Sequence, residues 1–481
     1  MSSSHLIPLV VDLDGTLIKT DLLSETASRF LLEQPIRVFM LGVWLCEGKA
    51  CLKSHLAQVA DVDVAALPYN TELLTWLAEQ KAQGRRIVLA TASQRSLAEQ
   101  VAAHLGLFDE VLATDAGVNL KSGTKRDALV SRFGEHGFDY IGNDWADMAV
   151  WQSAARAHVM SRSPRLIQAV RTHGNLGQVM DDGKPPVILA LLQAMRPHQW
   201  MKNLLVFVPL LTAQQYGAGA NVLLSLLAFV VFGLAASSVY LLNDLVDVTA
   251  DRNHLRKRTR PFAAGNLPLI FGWVASPLLL VAAFSMAGLW LPWQFTAALA
   301  VYFVVTFAYS LRLKQVPVVD VLVLAGLYTM RIVAGAAAIG VALSFWLLSF
   351  SMFVFLSLAL MKRYSELRAA RATGQDSSLR GRGYESQDLE LVSSMGASAG
   401  NTAVLLLALY VQDGQTARLY SSPTFIWLVC PLLLFWISRA WLITHRGSMH
   451  DDPVLFALKD RVSWATAMLI AVLFVLATVV P

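Results

Sequence analysis

Two hydrophobic patterns divide the chain. Up to about residue 170, short apolar runs alternate with amphipathic stretches. "LIPLVVDLDG", "RRIVLATAS" and "FDYIGND" read as β-strands that end in polar residues, and stretches such as "LAEQVAAHLGL" between them read as helices. That alternation predicts an α/β domain with a parallel sheet covered by helices over residues 1–170. Helical sequence over about 20–80 interrupts it, as a cap inserted after the first strand would. The Gly- and Pro-containing stretch "RTHGNLGQVMDDGKPP" (171–186) reads as a linker. Beyond it, residues 187–481 are dominated by apolar runs long enough to cross a bilayer. Nine are expected, near 187–211, 221–243, 268–289, 293–311, 318–340, 344–361, 391–411, 423–443 and 462–480.

Composition agrees with this division. The chain has 481 residues, 55% hydrophobic and only 15% charged. A net charge of +5 is modest, and in a membrane protein it reflects loop bias rather than a nucleic-acid partner. Cys46, Cys51 and Cys430 are too few and too scattered for a disulfide framework or a zinc site. The opening "MSSSHLIPLVVDLDGTL" lacks a basic segment followed by an apolar core, so no cleavable signal peptide is expected. Lys and Arg gather in the 244–266 loop, in "RLK" (312–314), in "KRYSELRAAR" from 362 and in the 444–461 loop. The alternate loops carry one basic residue, Arg418. The positive-inside rule then puts the first domain and the basic loops in the cytoplasm of a bacterial-type inner membrane, and nine spans put Pro481 outside.

In "VVDLDGTL" (10–17), Asp12 and Asp14 leave a strand on the same side and can reach one ligand. Two carboxylates serve a phosphate only when a cation neutralises them, which suggests Mg2+. One can then attack phosphorus while the other handles the leaving-group proton. An Asx-turn at a strand end is the plainer reading of such a pair. Its company favours chemistry: Thr91 ends the second strand, Lys125 precedes a helix, and "GNDWAD" (142–147) ends the third. Over about residues 8–165 these motifs resemble the haloacid dehalogenase superfamily, with its Rossmann-like fold. The resemblance implies Asp12 as covalent nucleophile, Asp14 as general acid/base, and Thr91 and Lys125 as phosphate contacts. It also implies Asp12, Asp14, Asn143, Asp144 and Asp147 around the metal. Asn143 departs from the aspartate usual there and brings no charge.

The second half sets an acidic cluster against a basic one. Asp244, Asp247 and Asp251, beside Asn243, have i, i+3, i+7 spacing and share one helical face at the end of the second span. Asp is unfavourable at a helix C-terminus, so a solvated cap explains them poorly. Mg2+ bridging a diphosphate explains them better, with Lys257, Arg258 and Arg260 of "RKRTRP" on the remaining phosphate oxygens. Arg331 lies within a span and should face a cavity, an acidic partner or a helix-packing pair.

This N-D-x-x-D-x-x-x-D among nine spans resembles the UbiA-type membrane prenyltransferase superfamily. That resemblance implies Asp244 and Asp247 as catalytic metal holders, with Asn243 and Asp251 as further ligands. "KRYSELRAAR" stands where most of that family has a second acidic motif. "RPHQWMKN" (196–203), "DRNHLRKRTRPFAAG", "YSLRLK" (309–314) with Asp320, "KRYSEL" and "DDPVLFALKDR" (451–461) look like the decaprenyl-phosphate phosphoribosyltransferase branch. The likeness implies substrate contacts from Arg196, Lys202, Tyr309, Lys314, Asp320, Lys362, Arg363, Tyr364, Glu366, Lys459, Asp460 and Arg461, besides the 257–260 run. It implies phosphoribosyl diphosphate and a polyprenyl phosphate as substrates at the bilayer, with the first domain removing the 5-phosphate of the product. Two other readings fit the same segments. One is prenyl transfer from a prenyl diphosphate to an aromatic or lipid acceptor, with an unrelated or inactive first domain; the other is a non-catalytic transporter or scaffold. The sequence sets no oligomeric state.

Overall fold

A computed structural model describes residues 7–114, 120–372, 382–412, 420–449 and 452–480. Residues 1–6 of the opening stretch, Arg418, Asp451 and Pro481 lie outside them. The chain forms two compact units: Met1–Arg196 with Tyr240–Pro277, and Pro197–Val239 with Leu278–Pro481. The boundary therefore does not follow the expected linker, because the segment carrying the acidic and basic clusters packs with the first unit.

The first unit is built on a six-stranded parallel sheet in the order β3-β2-β1-β4-β5-β6. The strands are β1 (Leu9–Val11), β2 (Ile87–Gln94), β3 (Glu110–Thr114), β4 (Asp139–Gly142), β5 (Ala157–Met160) and β6 (Leu176–Met180). Its strands are apolar on both faces, as a doubly covered sheet requires. Leu9, Val11, Ile87 and Leu89 join one core with Leu73, Leu77, Leu97 and Val101. Val10, Val88 and Ala90 join the other with Leu129, Phe138, Trp151 and Val170.

Two boundaries differ from expectation. β6 lies inside the stretch read as a linker and pairs with β5. Its Gly- and Asn-containing sequence hides an edge strand held by side-chain bonds: Asn175 Nδ2 donates to the carbonyls of Trp151 and Ala154, at 2.6 and 2.9 Å. Between β1 and β2 lie α1 (Leu22–Glu33), α2 (Phe39–Cys46), α3 (Lys49–Val59) and α4 (Thr71–Ala82). The first three form the cap. The fourth places Leu73 and Leu77 in the sheet core and belongs to the domain proper.

Eight helices among the described residues are long and apolar enough to cross a membrane: Gly219–Val246, Leu269–Trp290, Trp293–Leu311, Val319–Ile339, Phe345–Ala372, Ser386–Gln412, Thr424–His445 and Arg461–Val479. The first expected span, 187–211, is instead a helix (Val187–Met195), a 3-10 run (Pro197–Phe207) and a short helix (Val208–Thr212). Pro197 disfavours α-helical geometry at the residue before it, and Arg196 takes φ +53 there. In the second unit the spans meet through small residues, including Ala228, Ala235, Ala283, Ala287, Ala334 and Ala338. Small side chains let helix backbones approach closely where no water drives association.

Candidate functional site

The chain leaves β1 toward β2 and β3 on one side and returns to β4 on the other, so strand order reverses between β1 and β4. Ligands of open α/β sheets bind beyond the strand C-termini at such a point. Asp12 follows β1 directly and Asn143 follows β4. Gly15, at φ +78, makes the turn after Asp14 and sits under Asn143, where a Cβ would run into the Asn143 amide.

Asp12 is 7% exposed. Its Oδ1 accepts from Lys125 Nζ at 2.6 Å, and its Oδ2 from Thr16 Oγ1 at 3.2 Å. Burial pushes its carboxyl up to about 7, although Lys125 opposes the rise. Lys125 opens helix Gly123–Phe133 and is buried. Burial lowers its pKa, but Asp12 and Asp147 outweigh this and raise it. Thr16 Oγ1 also lies 3.2 Å from Asn143 Oδ1. Asp14 is fixed by the Leu22 amide at 2.9 Å, Ser93 Oγ at 2.6 Å and Thr91 Oγ1 at 3.4 Å. Thr91 is fully buried against Asp14 and the Ser93 amide.

Asp147 reaches the cluster through Lys125, its Oδ1 3.8 Å from Nζ, and Asp144 lies in the adjoining turn. Asp147 Oδ1 accepts from the Tyr140 hydroxyl and Oδ2 from the amides of Asn143 and Asp144, while Asp144 caps the same turn through the Trp145 amide. Both carboxylates shape the loop through these bonds, which the spacing alone could not reveal. Sequence reading also missed Thr16, Ser93 and Lys53. Lys53, on the cap, donates to the Ala92 carbonyl at 2.7 Å. Burial lowers its pKa despite Asp14 and Asp21. The donor set at Asp12 and Asn143 is oxygen only, which suits Mg2+.

The acidic cluster also belongs to the first unit. Its helix breaks: Gly219–Val246 ends, Asp247 caps, and Val248–Arg252 starts a short second helix. The expected single face is therefore interrupted at Asp247. Arg260 still gathers the outer pair, with Nη1 3.2 Å from Asp244 Oδ1 and 2.6 Å from Asp251 Oδ2. Arg196 also binds Asp244, and Lys257 is 3.9 Å from Asp251. Asp244 Oδ2 is buried and has no hydrogen-bond partner, an oxygen left for a cation. Asn243 is half-buried beside it, and Arg258 is exposed. Arg252 staples the loop. Its Nε donates to the Ala263 carbonyl at 3.3 Å, and its Nη groups hold Glu25 of α1 at 2.6 and 3.1 Å. The cap and the acid–base loop are thus joined by a buried ion pair.

The second unit holds further charge clusters. Asp452 accepts from Lys202 at 3.0 Å and Lys362 at 3.2 Å. Burial would raise its pKa, but the two lysines hold it well below the carboxylate range. Asp320 and Arg363 are both fully buried, 2.7 Å apart. Arg363 also binds Glu366, and Asp320 Oδ1 accepts from Tyr309 at 2.7 Å. Arg382, which the sequence reading did not single out, lies 3.4 Å from Asp320. Tyr364 is buried, its hydroxyl 2.9 Å from His445 Nδ1. Asp460 caps the last span and pairs with Arg439 at 2.7 Å. Arg363, Tyr364, Asp320 and Asp460 are thus each held by a partner within the protein. Lys459 and Arg461 are exposed, and Lys314 is half-buried. Arg331 binds neutral groups: Asn203 Oδ1 at 2.9 Å, the Leu327 carbonyl at 2.6 Å and the Tyr302 hydroxyl at 3.0 Å.

Residues 204–464 match the UbiA prenyltransferase family and residues 9–135 the haloacid dehalogenase-like hydrolases. The chain is 37% identical over 473 residues to the uncharacterized protein y4nM of Sinorhizobium fredii, covering 98% of this chain and 91% of that one. It is 38% identical over 272 residues to nodulation protein NoeC of Azorhizobium caulinodans, covering 56% of this chain and 86% of that one. It is 35% identical over 285 residues to decaprenyl-phosphate phosphoribosyltransferase of Mycolicibacterium smegmatis, covering 58% of this chain and 89% of that one. A UbiA homolog from Archaeoglobus fulgidus, solved with DMAPP and Mg2+, is 18% identical, with a TM-score of 0.45 over 60% of this chain and all of that one.

Proposed function

This chain belongs to the UbiA prenyltransferase family, and from that premise we propose that it moves 5-phosphoribose from phosphoribosyl diphosphate to a polyprenyl phosphate, its N-terminal hydrolase domain then removing the 5-phosphate. It is an integral membrane protein with a haloacid dehalogenase-like domain at its N-terminus. The observation that carries the reading is Asp452. One carboxylate holds two lysines, Lys202 and Lys362, which leaves a net positive charge suited to phosphate. The named relatives favour the same chemistry.

In the proposed transfer, an oxygen of the lipid phosphate attacks the anomeric carbon. The bond from that carbon to the diphosphate breaks, and pyrophosphate leaves. In the second unit Lys202 and Lys362, and in the first unit Arg196 and Arg260, are each candidates to hold phosphate oxygens and stabilise the departing charge. Asp244, Asp251 and Asp247 would hold Mg2+ in the loop, and Asp12 with Asn143 would hold it in the crevice. Mg2+, when bound, neutralises phosphate charge during transfer. In the hydrolase domain, Asp12 attacks the 5-phosphate phosphorus while Asp14, fixed by Ser93 and the Leu22 amide, protonates the leaving ribose oxygen. Asp14 then takes a proton from the water that opens the aspartyl-phosphate. In this reading the active sites face the cytoplasm with the basic loops, as the positive-inside rule favours.

The test supplies purified protein with labelled phosphoribosyl diphosphate or labelled prenyl diphosphate and a candidate acceptor. Label from the sugar should enter lipid. Label from the prenyl diphosphate instead would establish prenyl transfer. Asp12→Asn should accumulate lipid that retains its 5-phosphate, one phosphate heavier by mass spectrometry than the wild-type product. If wild type also stops at the phosphorylated lipid, the hydrolase domain acts on something else.

A further inference from the structure

Helix α2 has the sequence "FMLGVWLC" and carries no charge. Of its residues only Trp44 is buried, against Phe30 and His55. Phe39 is 66% exposed, and Val43 and Leu45 are each 51% exposed; Ile36 just before it is 88% exposed. A contiguous apolar surface of this kind marks a membrane or protein contact.

The surroundings identify the occupant. The preceding helix, α1, is tied to the segments that enter and leave the membrane spans. Glu25 holds Arg252, six residues past the end of span Gly219–Val246. Ser28 Oγ accepts from Trp273 Nε1 at 3.0 Å, and Trp273 is the fifth residue of span Leu269–Trp290. Tryptophan near a span end sits at headgroup level. Phe30 of α1 and Trp44 of α2 have ring centroids 5.3 Å apart, so α2 lies directly on α1. Packed helices are about 8–10 Å apart, and an interfacial helix buries its apolar face about 5–10 Å into the headgroup boundary. Arg37, Glu47 and Lys49 flank α2, a set with net positive charge that suits anionic headgroups.

We propose that α2 inserts into the bilayer interface and sets the cap of the hydrolase domain on the membrane surface, so that the crevice takes phosphate from a lipid-linked substrate. The second clause rests on the proposed function; the insertion itself does not.

Full-length protein lacking its native cysteines (Cys46→Ser, Cys51→Ser, Cys430→Ala) and carrying Phe39→Cys is spin-labelled and placed in nanodiscs with anionic lipid. Asp127→Cys, on an exposed side chain, is the aqueous control. The label at 39 should relax with oxygen more than with a water-soluble nickel chelate, and the label at 127 the reverse. Nickel access at 39 equal to that at 127 would overturn insertion. Exclusion of both reagents at 39 would also overturn it, in favour of a second copy or another protein on this face. Phe39→Asp in otherwise native protein gives an independent readout. It should lower kcat/KM for lipid-linked ribose 5-phosphate about tenfold, the scale of ~1.4 kcal/mol lost at an interface. Hydrolysis of a soluble aryl phosphate should stay within about twofold, since the crevice is untouched. Equal loss on both substrates would mean that the face only stabilises the cap. If wild type hydrolyses no lipid-linked phosphate while the label still reports insertion, the proposed reaction fails and the membrane contact stands.

Discussion

Asp244→Asn separates a reacting carboxylate from a structural one. Asp244 is 2% exposed and anchors both Arg196 and Arg260. Asparagine leaves one neutral oxygen for two guanidinium groups. Arg260 keeps Asp251 at 2.6 Å, so the loss falls mainly on Arg196. Breaking a fully buried ion pair costs about 3–5 kcal/mol. The two arginine side chains are 22% and 27% exposed and can turn to water, so about 2 kcal/mol is expected for the fold. Transfer should lose more, about 4 kcal/mol or ~1000-fold, because the same carboxylate offers the unpartnered Oδ2 to a cation and orients both arginines. The assay follows label from phosphoribosyl diphosphate into the lipid extract at saturating Mg2+, beside thermal unfolding of the same preparation in detergent. A kcat/KM within about threefold of wild type, under ~1 kcal/mol, would refute the assignment. Loss of transfer in proportion to loss of folded protein would make Asp244 a structural anchor only.

Lys202→Ala or Lys362→Ala should raise KM for phosphoribosyl diphosphate about tenfold and change KM for the lipid much less, as removal of one charge-assisted phosphate contact would; a change confined to the lipid would put Asp452 and its lysines on the other substrate. Asp12 titrates at about 7 in the fold against an ordinary 3.8. Between about pH 4 and pH 7 the folded chain keeps a proton that the unfolded chain has released, so the contribution of Asp12 to stability falls as pH rises through that window. Wild type should therefore lose thermal stability from about pH 5 to about pH 7.5 more steeply than Asp12→Asn; parallel profiles would place the titration elsewhere.

Local chemistry was legible in the sequence wherever a short motif fell at the end of a periodic run. "VVDLDGTL" put Asp12 and Asp14 at a strand end, and the apolar lengths after residue 187 located eight spans, seven of them to within about five residues at each end; the helix expected over 344–361 runs on to Ala372. Legibility failed where the partner of a charge lies far along the chain. Arg363 and Lys362 are neighbours in "KRYSEL", yet Asp320 takes the first into the interior and Asp452 keeps the second beside Lys202. Nothing in their composition distinguishes them. The motif showed Asp147 as a carboxylate near the site, but not that it also binds the amides of its own turn.

Order along the chain determined which groups each segment could offer: carboxylates after β1, and acids followed by bases from Asn243 to Arg260. Periodicity and reach are local properties, so one sequence suffices to read them. Only the tertiary structure decided which groups remain available. The buried pair of Glu25 and Arg252 joins a cap residue to a loop 227 positions away. It ties the 240–277 segment to the cap within the first unit, where α2 keeps an exposed apolar face. A buried charge must find its counterion, and close packing of distant segments, not spacing along the chain, supplies it.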